Sequence, residues 1–237
     1  MGLYRARGVV VRTYRLGEAD RIVHLVTDAR GKVRAVAKGV RRTRSRFGAR
    51  LEPGSHVSLL CWEGRELDVV NQAEVLDSFR GLREDLERMR AAAVMLEAAD
   101  LLSQERHEDP DAYRMLVGAL RTLESGGSGL VAPAFLWKLL AADGVAPALE
   151  TCASCGSTGP LVAFDPVDAG VRCRACRRGI PVSAEALALL RAFGSGGLGA
   201  ALAGEAQPAW GEVERLATQA MEAHLERRLR SVHVLDG

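Results

Sequence analysis

Arg21-Ile22-Val23-His24-Leu25-Val26-Thr27-Asp28-Ala29-Arg30-Gly31-Lys32-Val33-Arg34-Ala35-Val36-Ala37-Lys38 decides how the chain begins to fold. Two β-branched runs, Arg21 to Thr27 and Val33 to Lys38, flank Asp28-Ala29-Arg30-Gly31, which supplies turn residues between strands. Outward from this hairpin, Arg7 to Leu16 precedes it, and His56 to Trp62 and Leu67 to Leu76 follow it, separated by Glu63-Gly64-Arg65. Five short strands within residues 5–77 cannot bury both faces of an open sheet. Closure into a small barrel is the economical solution, and an OB-fold and an SH3-like barrel both satisfy it.

From Asp85 the apolar period changes from two to about 3.6. Leu86, Met89, Ala93, Leu96, Ala99 and Leu102 fall at helical spacing, and Asp109-Pro110 supplies an N-cap and a first-turn proline for a second helix. Ser125-Gly126-Gly127-Ser128-Gly129 breaks the pattern, a third helix spans about Pro133 to Ala142, and Gly144 ends it. Helical periodicity resumes after Ser183-Ala184-Glu185, which caps a fourth helix, and Trp210 to Leu229 reads as a last one. The interruption is a cysteine segment, inserted into an otherwise helical region.

That segment holds Cys152-Ala153-Ser154-Cys155 and Cys173-Arg174-Ala175-Cys176, two C-x₂-C pairs at the spacing of structural zinc sites. Two intervening residues let one tight turn aim both sulfurs at the same ion, and Leu161 to Phe164 with Val171 to Cys173 can form the hairpin that brings the second turn over the first. The expectation is a zinc ribbon with one structural Zn²⁺ per chain, because four thiolates leave no open position for water. Redox dithiols, disulfides and an iron–sulfur cluster are the alternatives. Arg172, Arg174, Arg177 and Arg178 stand where they can offset the charge of a tetrathiolate site. Cys61, alone in an apolar strand, reads as core.

The net charge of +2 conceals an asymmetry: residues 1–50 hold 14 Lys/Arg against 3 Asp/Glu, leaving the remainder acidic. The densest stretch is 38–50, where Lys38, Arg41, Arg42, Arg44, Arg46 and Arg50 are interspersed with glycines. Such a cluster meets the regularly spaced phosphates of a nucleic acid and releases its counterions. Lys32 and Arg34, with Arg5, Arg7, Arg12 and Arg30, extend the track across the barrel, and Phe47 and Tyr14 are candidate stacking platforms for bases, with packing in the core the equal alternative for Phe47.

Other signals fail. Gly194-Ser195-Gly196-Gly197-Leu198-Gly199 matches a dinucleotide fingerprint but follows a helix, so it reads as a linker. No phosphate-loop Gly-Lys-Ser/Thr and no H-E-x-x-H occurs, the five histidines lack a partner motif, and Glu18 and Asp20 sit in a turn between strands. An enzyme is not indicated. No apolar run has the length of a membrane span, and Met1 to Ala6 carries neither a secretory nor a myristoylation signal, so a cytoplasmic location is expected, with thiols kept reduced and no membrane partner.

Gly8 to Val23, then Gly31-Lys32, Ala37 to Arg42, Ser45-Arg46-Phe47-Gly48, the cysteine segment and the closing Leu229-Arg230-Ser231 together resemble the RecO family of bacterial recombination mediators, over nearly the whole chain. One departure is Gly54, where similar proteins tend to carry an aromatic residue. The resemblance implies an α+β architecture: an N-terminal OB-fold β-barrel at 1–80 that binds single-stranded DNA, a helical domain at 81–150, a four-cysteine zinc ribbon-like module inserted at 151–181, and C-terminal helices at 182–237 packing on the helical domain. It also implies a role without bond chemistry. The protein would bind and anneal strands coated with the single-strand-binding protein SSB and, with RecR and sometimes RecF, allow RecA to load during DNA repair. In the family the acidic, apolar SSB C-terminal tail docks on the helical domain, which points to Arg114, Arg121 and Lys138 beside Leu120 and Leu139. The rival classes are a DNA-processing nuclease or glycosylase, and an OB-plus-ribbon RNA-binding component of translation or transcription.

Overall fold

The structure is a computed structural model that describes residues 2–233; Met1 and residues 234–237, the outer ends of the first and last expected spans, lie outside the described residues. The chain divides into two compact units, Met1–Glu124 and Ser125–Gly237. This division falls inside the expected helical span 81–150, so its first two helices belong with the barrel and its third with the remainder of the chain.

The first unit opens with strands β1 (Leu3–Leu16), β2 (Asp20–Thr27), β3 (Gly31–Ala37), β4 (His56–Trp62) and β5 (Asp68–Asp77). They close in the order β1-β2-β3-β5-β4, an OB-like barrel in which every neighbouring pair is antiparallel except β3 with β5. Closure removes the free edges that five strands would otherwise expose. β1 begins four residues earlier than its β-branched run, because Leu3–Arg7 pair with Trp62–Ser58 of β4, a partner no local pattern announces. A bulge between Val10 and Arg12 bends this long strand so that it can pair with both β2 and β4. Alternation puts Val10, Val23, Leu25, Val33, Leu59 and Val70 inside, with Cys61 among them. Burial pushes the Cys61 thiol up to about 11, which keeps it a neutral packing group.

Two glycines carry the turns. At Gly31 the backbone is left-handed (φ +58°) and a β-carbon would lie 1.8 Å from the His107 carbonyl oxygen, so no other residue fits between β2 and β3. Gly54 (φ +84°) donates its N–H to the Val10 carbonyl at 2.8 Å. The departure from an aromatic at that position therefore goes with a backbone conformation that side chains disfavour.

A 3₁₀ turn (Arg80–Arg83) leads into α1 (Leu86–Leu102) and α2 (Pro110–Glu124). Asp85 caps α1 by accepting from Arg88 N–H, and Asp109 caps α2 by accepting from Ala112 N–H. α1 buries only part of the stripe its periodicity suggested: Leu96 and Ala99 are buried and Leu86 and Met89 exposed, while Ala92, Met95, Glu97 and Asp100 are buried besides. The reason is electrostatic docking. Asp100 accepts from Arg12 Nε at 3.0 Å, lies 3.0 Å from His24 Nδ1, and its main-chain carbonyl accepts from Lys32 Nζ at 2.6 Å. A second anchor joins α2 to the barrel, His56 standing 2.8 Å from the Tyr113 hydroxyl and 2.7 Å from Asp77.

The second unit is built around α3 (Val131–Ala142), which starts two residues before the expected Pro133 and is buried on nearly every side by residues such as Phe135, Leu136 and Leu140. A three-stranded sheet of β6 (Leu161–Asp165), β7 (Gly170–Cys173) and β8 (Ile180–Pro181) follows, with β6 central. Then come α4 (Ala184–Gly194), α5 (Leu198–Ala203), α6 (Ala209–His224) and α7 (Arg230–His233). Ser183 caps α4 through Ala186 N–H, as its position before Ala184-Glu185 predicts. The expected linker at Gly194–Gly199 is only partly one, since Leu198 and the alanines after it form the short α5. α6 packs on α3 and α4, and Trp137 of α3 lies with its ring centre 5.6 Å from Phe164 of β6, fastening the sheet to the helices.

Candidate functional site

The segment 38–50 leaves β3 and returns to β4 as a loop braced by its own polar groups. Gly39 N–H donates to Asp20 Oδ1 at 2.7 Å, Arg41 N–H donates to the Ala19 carbonyl at 2.9 Å, and the Arg41 guanidinium donates to the Gly17 and Glu18 carbonyls. These bonds tie the loop to the β1–β2 turn and explain the Asp20 carboxylate, which holds a main-chain N–H. Lys38, Arg41, Arg42, Arg44, Arg46 and Arg50 are all exposed, and among the described residues none has a carboxylate within ion-pair distance. A surface cluster of like charges repels itself, and a polyanion is what relieves that repulsion. Tyr14, 45 % exposed near the end of β1, lies with its ring centre 5.2 Å from that of His24 and its hydroxyl accepting from Arg12.

The structure corrects Phe47 as an interface residue and pairs two others expected there, Lys32 and Arg34, within the first unit. Phe47 is 1 % exposed and belongs to the barrel core with Leu51 and Val40, so its ring is not open to a base; one loop residue must close the apolar interior between β3 and β4, and Phe47 does so. Arg46 lies over that ring at 4.7 Å from its centre. Lys32 is turned to Asp100 on α1, and Arg34 pairs with Glu105 at 2.8 Å. The same holds for most of the extended track: Arg7 pairs with Asp28, Arg12 with Asp100, and Arg30 with Glu63 while stacking on Tyr4. These cations are neutralised by carboxylates or carbonyls of the barrel's own turns and helices; the loop cations, Arg41's carbonyl contacts included, have no carboxylate partner among the described residues. Sequence counts charges, and only tertiary proximity tells which are already neutralised.

The described residues also hold two arginines that were not expected here. Arg80 and Arg83 line a groove of about 480 Å³ together with Arg50, Ser45 and Val75.

In the second unit the four cysteines Cys152, Cys155, Cys173 and Cys176 converge, with all four Sγ atoms within 4.8 Å of one another and Cys155 Sγ 3.7 Å from Cys173 Sγ. Sulfurs bound to one tetrahedral ion at ~2.3 Å stand about 3.8 Å apart, so these residues fit a single metal ion. The first knuckle is shaped by Cys152 N–H donating to Ser157 O and Gly156 N–H to Cys152 O, both at 2.9 Å. Ala153 N–H donates to Val171 O at 2.8 Å and lays it against β7, while Cys176 N–H to Cys173 O closes the second. Backbone N–H groups from the Cys173 knuckle, and from Cys155 and Ser154, lower the Cys152 thiol to about 6. Cys176 shares protons with Cys155 and Cys173 and is raised to about 11. A metal ion bound here would replace those shared protons. Two of the arginines expected to offset the site do other work: Arg172 pairs with Asp165 and Asp168, and Arg178 donates to Asp165 at 2.8 Å. They hold the β6–β7 turn, and Arg174 and Arg177 are exposed.

The three residues expected at a partner site are divided between the units. Arg114 pairs with Asp111 and Arg121 donates to Asp77 at 2.8 Å, both on α2 of the first unit. Lys138, on α3 of the second, lines a groove of about 390 Å³ with Trp137, Leu190, Arg191 and Phe193.

Comparison with known proteins gives the same reading over the full length. The family model described as Recombination protein O N terminal matches residues 1–79, and Recombination protein O C terminal matches residues 83–233. The chain is 45% identical over 252 residues to DNA repair protein RecO of a Nocardioides species, covering 97% of this chain and 98% of that protein. It is 44% identical over 242 residues to DNA repair protein RecO of Frankia casuarinae, covering 100% and 99%. To the protein of that name from Rubrobacter xylanophilus it is 47% identical over 185 residues, 76% of this chain and 74% of that one. With barrel, helices and four-cysteine cluster all inside the matched spans, the chain belongs to the RecO family.

Proposed function

We propose that this chain is a DNA repair protein acting as a recombination mediator without bond chemistry of its own. It binds single-stranded DNA, anneals complementary strands, and with RecR, and in some settings RecF, helps RecA load onto SSB-coated strands in the cytoplasm, at the nucleoid. The observation that carries this reading is the loop 38–50, with six exposed cations and no carboxylate opposite them among the described residues. Guanidinium groups on a loop contact phosphates and leave base edges unread, which suits a binder that must accept any sequence. Tyr14 is the stacking platform this reading retains.

Zinc is the metal assigned to Cys152, Cys155, Cys173 and Cys176, because four thiolates at the spacing of one tetrahedral ion suit zinc and leave no room for a substrate. Its role is to hold the β6–β7 hairpin. The acidic, apolar SSB tail is assigned to the groove beside Lys138, where a cation stands at the rim of Trp137, Leu190 and Phe193.

Annealing of complementary oligonucleotides, with SSB present and ATP absent, tests the proposal. Acceleration by the protein is expected. Charge reversal at Arg41, Arg42, Arg44 and Arg46 should abolish it and flatten the log–log salt dependence of single-strand binding by up to about 3 units, from ~0.7 per lost phosphate contact. An unchanged slope overturns the loop assignment. Strand cleavage or base release would favour an enzyme, and stronger binding to structured RNA a role in translation or transcription.

A further inference from the structure

The groove lined by Arg50, Arg80 and Arg83 adjoins the basic loop, whose residues Ser45, Phe47, Gly48, Ala49 and Arg50 form one of its walls. The opposite wall is the 3₁₀ turn Arg80–Arg83, and Val75 of β5 contributes to the lining. In a 3₁₀ helix side chains three apart eclipse each other. Arg80 and Arg83 therefore emerge together, both exposed, while Leu82 and the left-handed residue before the turn, Phe79 (φ +45°), are both buried. No carboxylate lies within ion-pair distance of Arg50, Arg80 or Arg83 among the described residues. Of the acids near this turn, Glu52 pairs with Arg21, Asp85 caps α1 and Glu124 accepts from the Gly81 N–H, while the exposed Glu84 and Glu74, next to Arg83 and Val75 in the chain, form no ion pair with Arg50, Arg80 or Arg83. Three arginines line this groove of about 480 Å³, Arg50 donating to the Arg46 carbonyl and Arg83 to the Pro53 carbonyl with no carboxylate among the described residues to offset their charge, and an anion in the groove stabilises such a set.

We propose that this groove is a second phosphate-binding segment of the single-strand path: a strand lying on loop 38–50 continues into it, with backbone phosphates held between Arg50 on one wall and Arg80 and Arg83 on the other. Val75, 40 % exposed, meets the apolar face of a sugar or base there. The proposal rests on the single-strand binding proposed above and adds the direction in which the strand leaves the loop.

The test uses the full chain and fluorescently labelled oligothymidylates of increasing length, titrated over a range of salt. Three variants are compared with the unmodified protein: Arg80→Ala with Arg83→Ala, the same pair changed to Lys, and Arg42→Ala with Arg44→Ala in the loop. The expected result is that the Arg80/Arg83 alanine pair loses about 1.4 units of salt slope, two contacts at ~0.7 each, and stops gaining affinity at a shorter oligonucleotide length than the unmodified protein. The lysine pair should recover most of the slope, which separates charge from fold. If the alanine pair matches the unmodified protein in slope and length dependence while the loop variant is weakened, the groove assignment is overturned and the loop reading stands. If the unmodified protein fails to bind any oligothymidylate, both are overturned.

Discussion

Phe47 and Arg46, adjacent in the chain, divide two tasks between core and surface. The ring of Phe47 is sealed in the barrel, and the Arg46 guanidinium lies across it at 4.7 Å while its charge stays exposed. The ring thus backs an exposed cation while staying closed to solvent itself. Phe47→Ala should destabilise the protein by about 3–5 kcal/mol, the usual cost of emptying an aromatic core site, and Phe47→Leu by much less. Urea unfolding measures this, and at a temperature where the variants stay folded their salt slope for single strands should remain near that of the unmodified protein. A Phe47→Ala variant of unchanged stability that has lost strand binding would return the ring to a stacking role. Arg12, Arg30, Lys32 and Arg34 show the converse: each reads as a free cation in the sequence, and each faces a carboxylate or carbonyl of the same unit.

At the scale of elements, the β6–β7 hairpin is too short to hold itself in water and is tied at both ends by cysteine knuckles. The side of β6 bearing Phe164 packs on Trp137, so losing the metal should be felt in the helices. One zinc per chain is expected by atomic emission. Chelation, or Cys152→Ser or Cys176→Ser, should shift Trp137 fluorescence to longer wavelength and lower the unfolding temperature. A metal-free protein with unshifted fluorescence and full stability would show that the four thiols do not bind a structural ion. The 3₁₀ turn at Arg80–Arg83 is the other telling element. Its alternation of Phe79, Arg80, Leu82 and Arg83 is plain in the sequence, but a four-residue turn has no periodicity long enough to stand out.

At the scale of the whole molecule, mild acid should loosen the first unit. Burial lowers the His56 pKa from its ordinary 6.5, outweighing the hydrogen bond to Asp77. The unfolded chain therefore takes a proton there that the folded chain refuses, and stability falls as pH drops below about 6.5. Burial would raise Asp100, but the hydrogen bond from His24 and the charges of Arg12 and Lys32 hold it below its ordinary 3.8. Its contribution is complete above that value and is lost as pH falls through the folded pKa. The urea midpoint should decline between pH 7 and 5, and His56→Gln should remove part of that decline. A midpoint flat over this range would rule out the His56 contribution.

Strand runs, turn residues, helix caps and the doubled C-x₂-C spacing are local, and the amino-acid order alone determined a five-stranded β region, its hairpins, the caps at Asp109 and Ser183, and the four cysteines of one site. Tertiary structure decided what depends on distant partners: the early start of β1 against β4, the parallel closure of β3 on β5, and which face of α1 is buried. It also decided which arginines remain unpaired. A side chain's period and turn chemistry lie within a few residues of it, whereas the carboxylate that neutralises a cation can come from up to 88 positions away, as Asp100 does for Arg12.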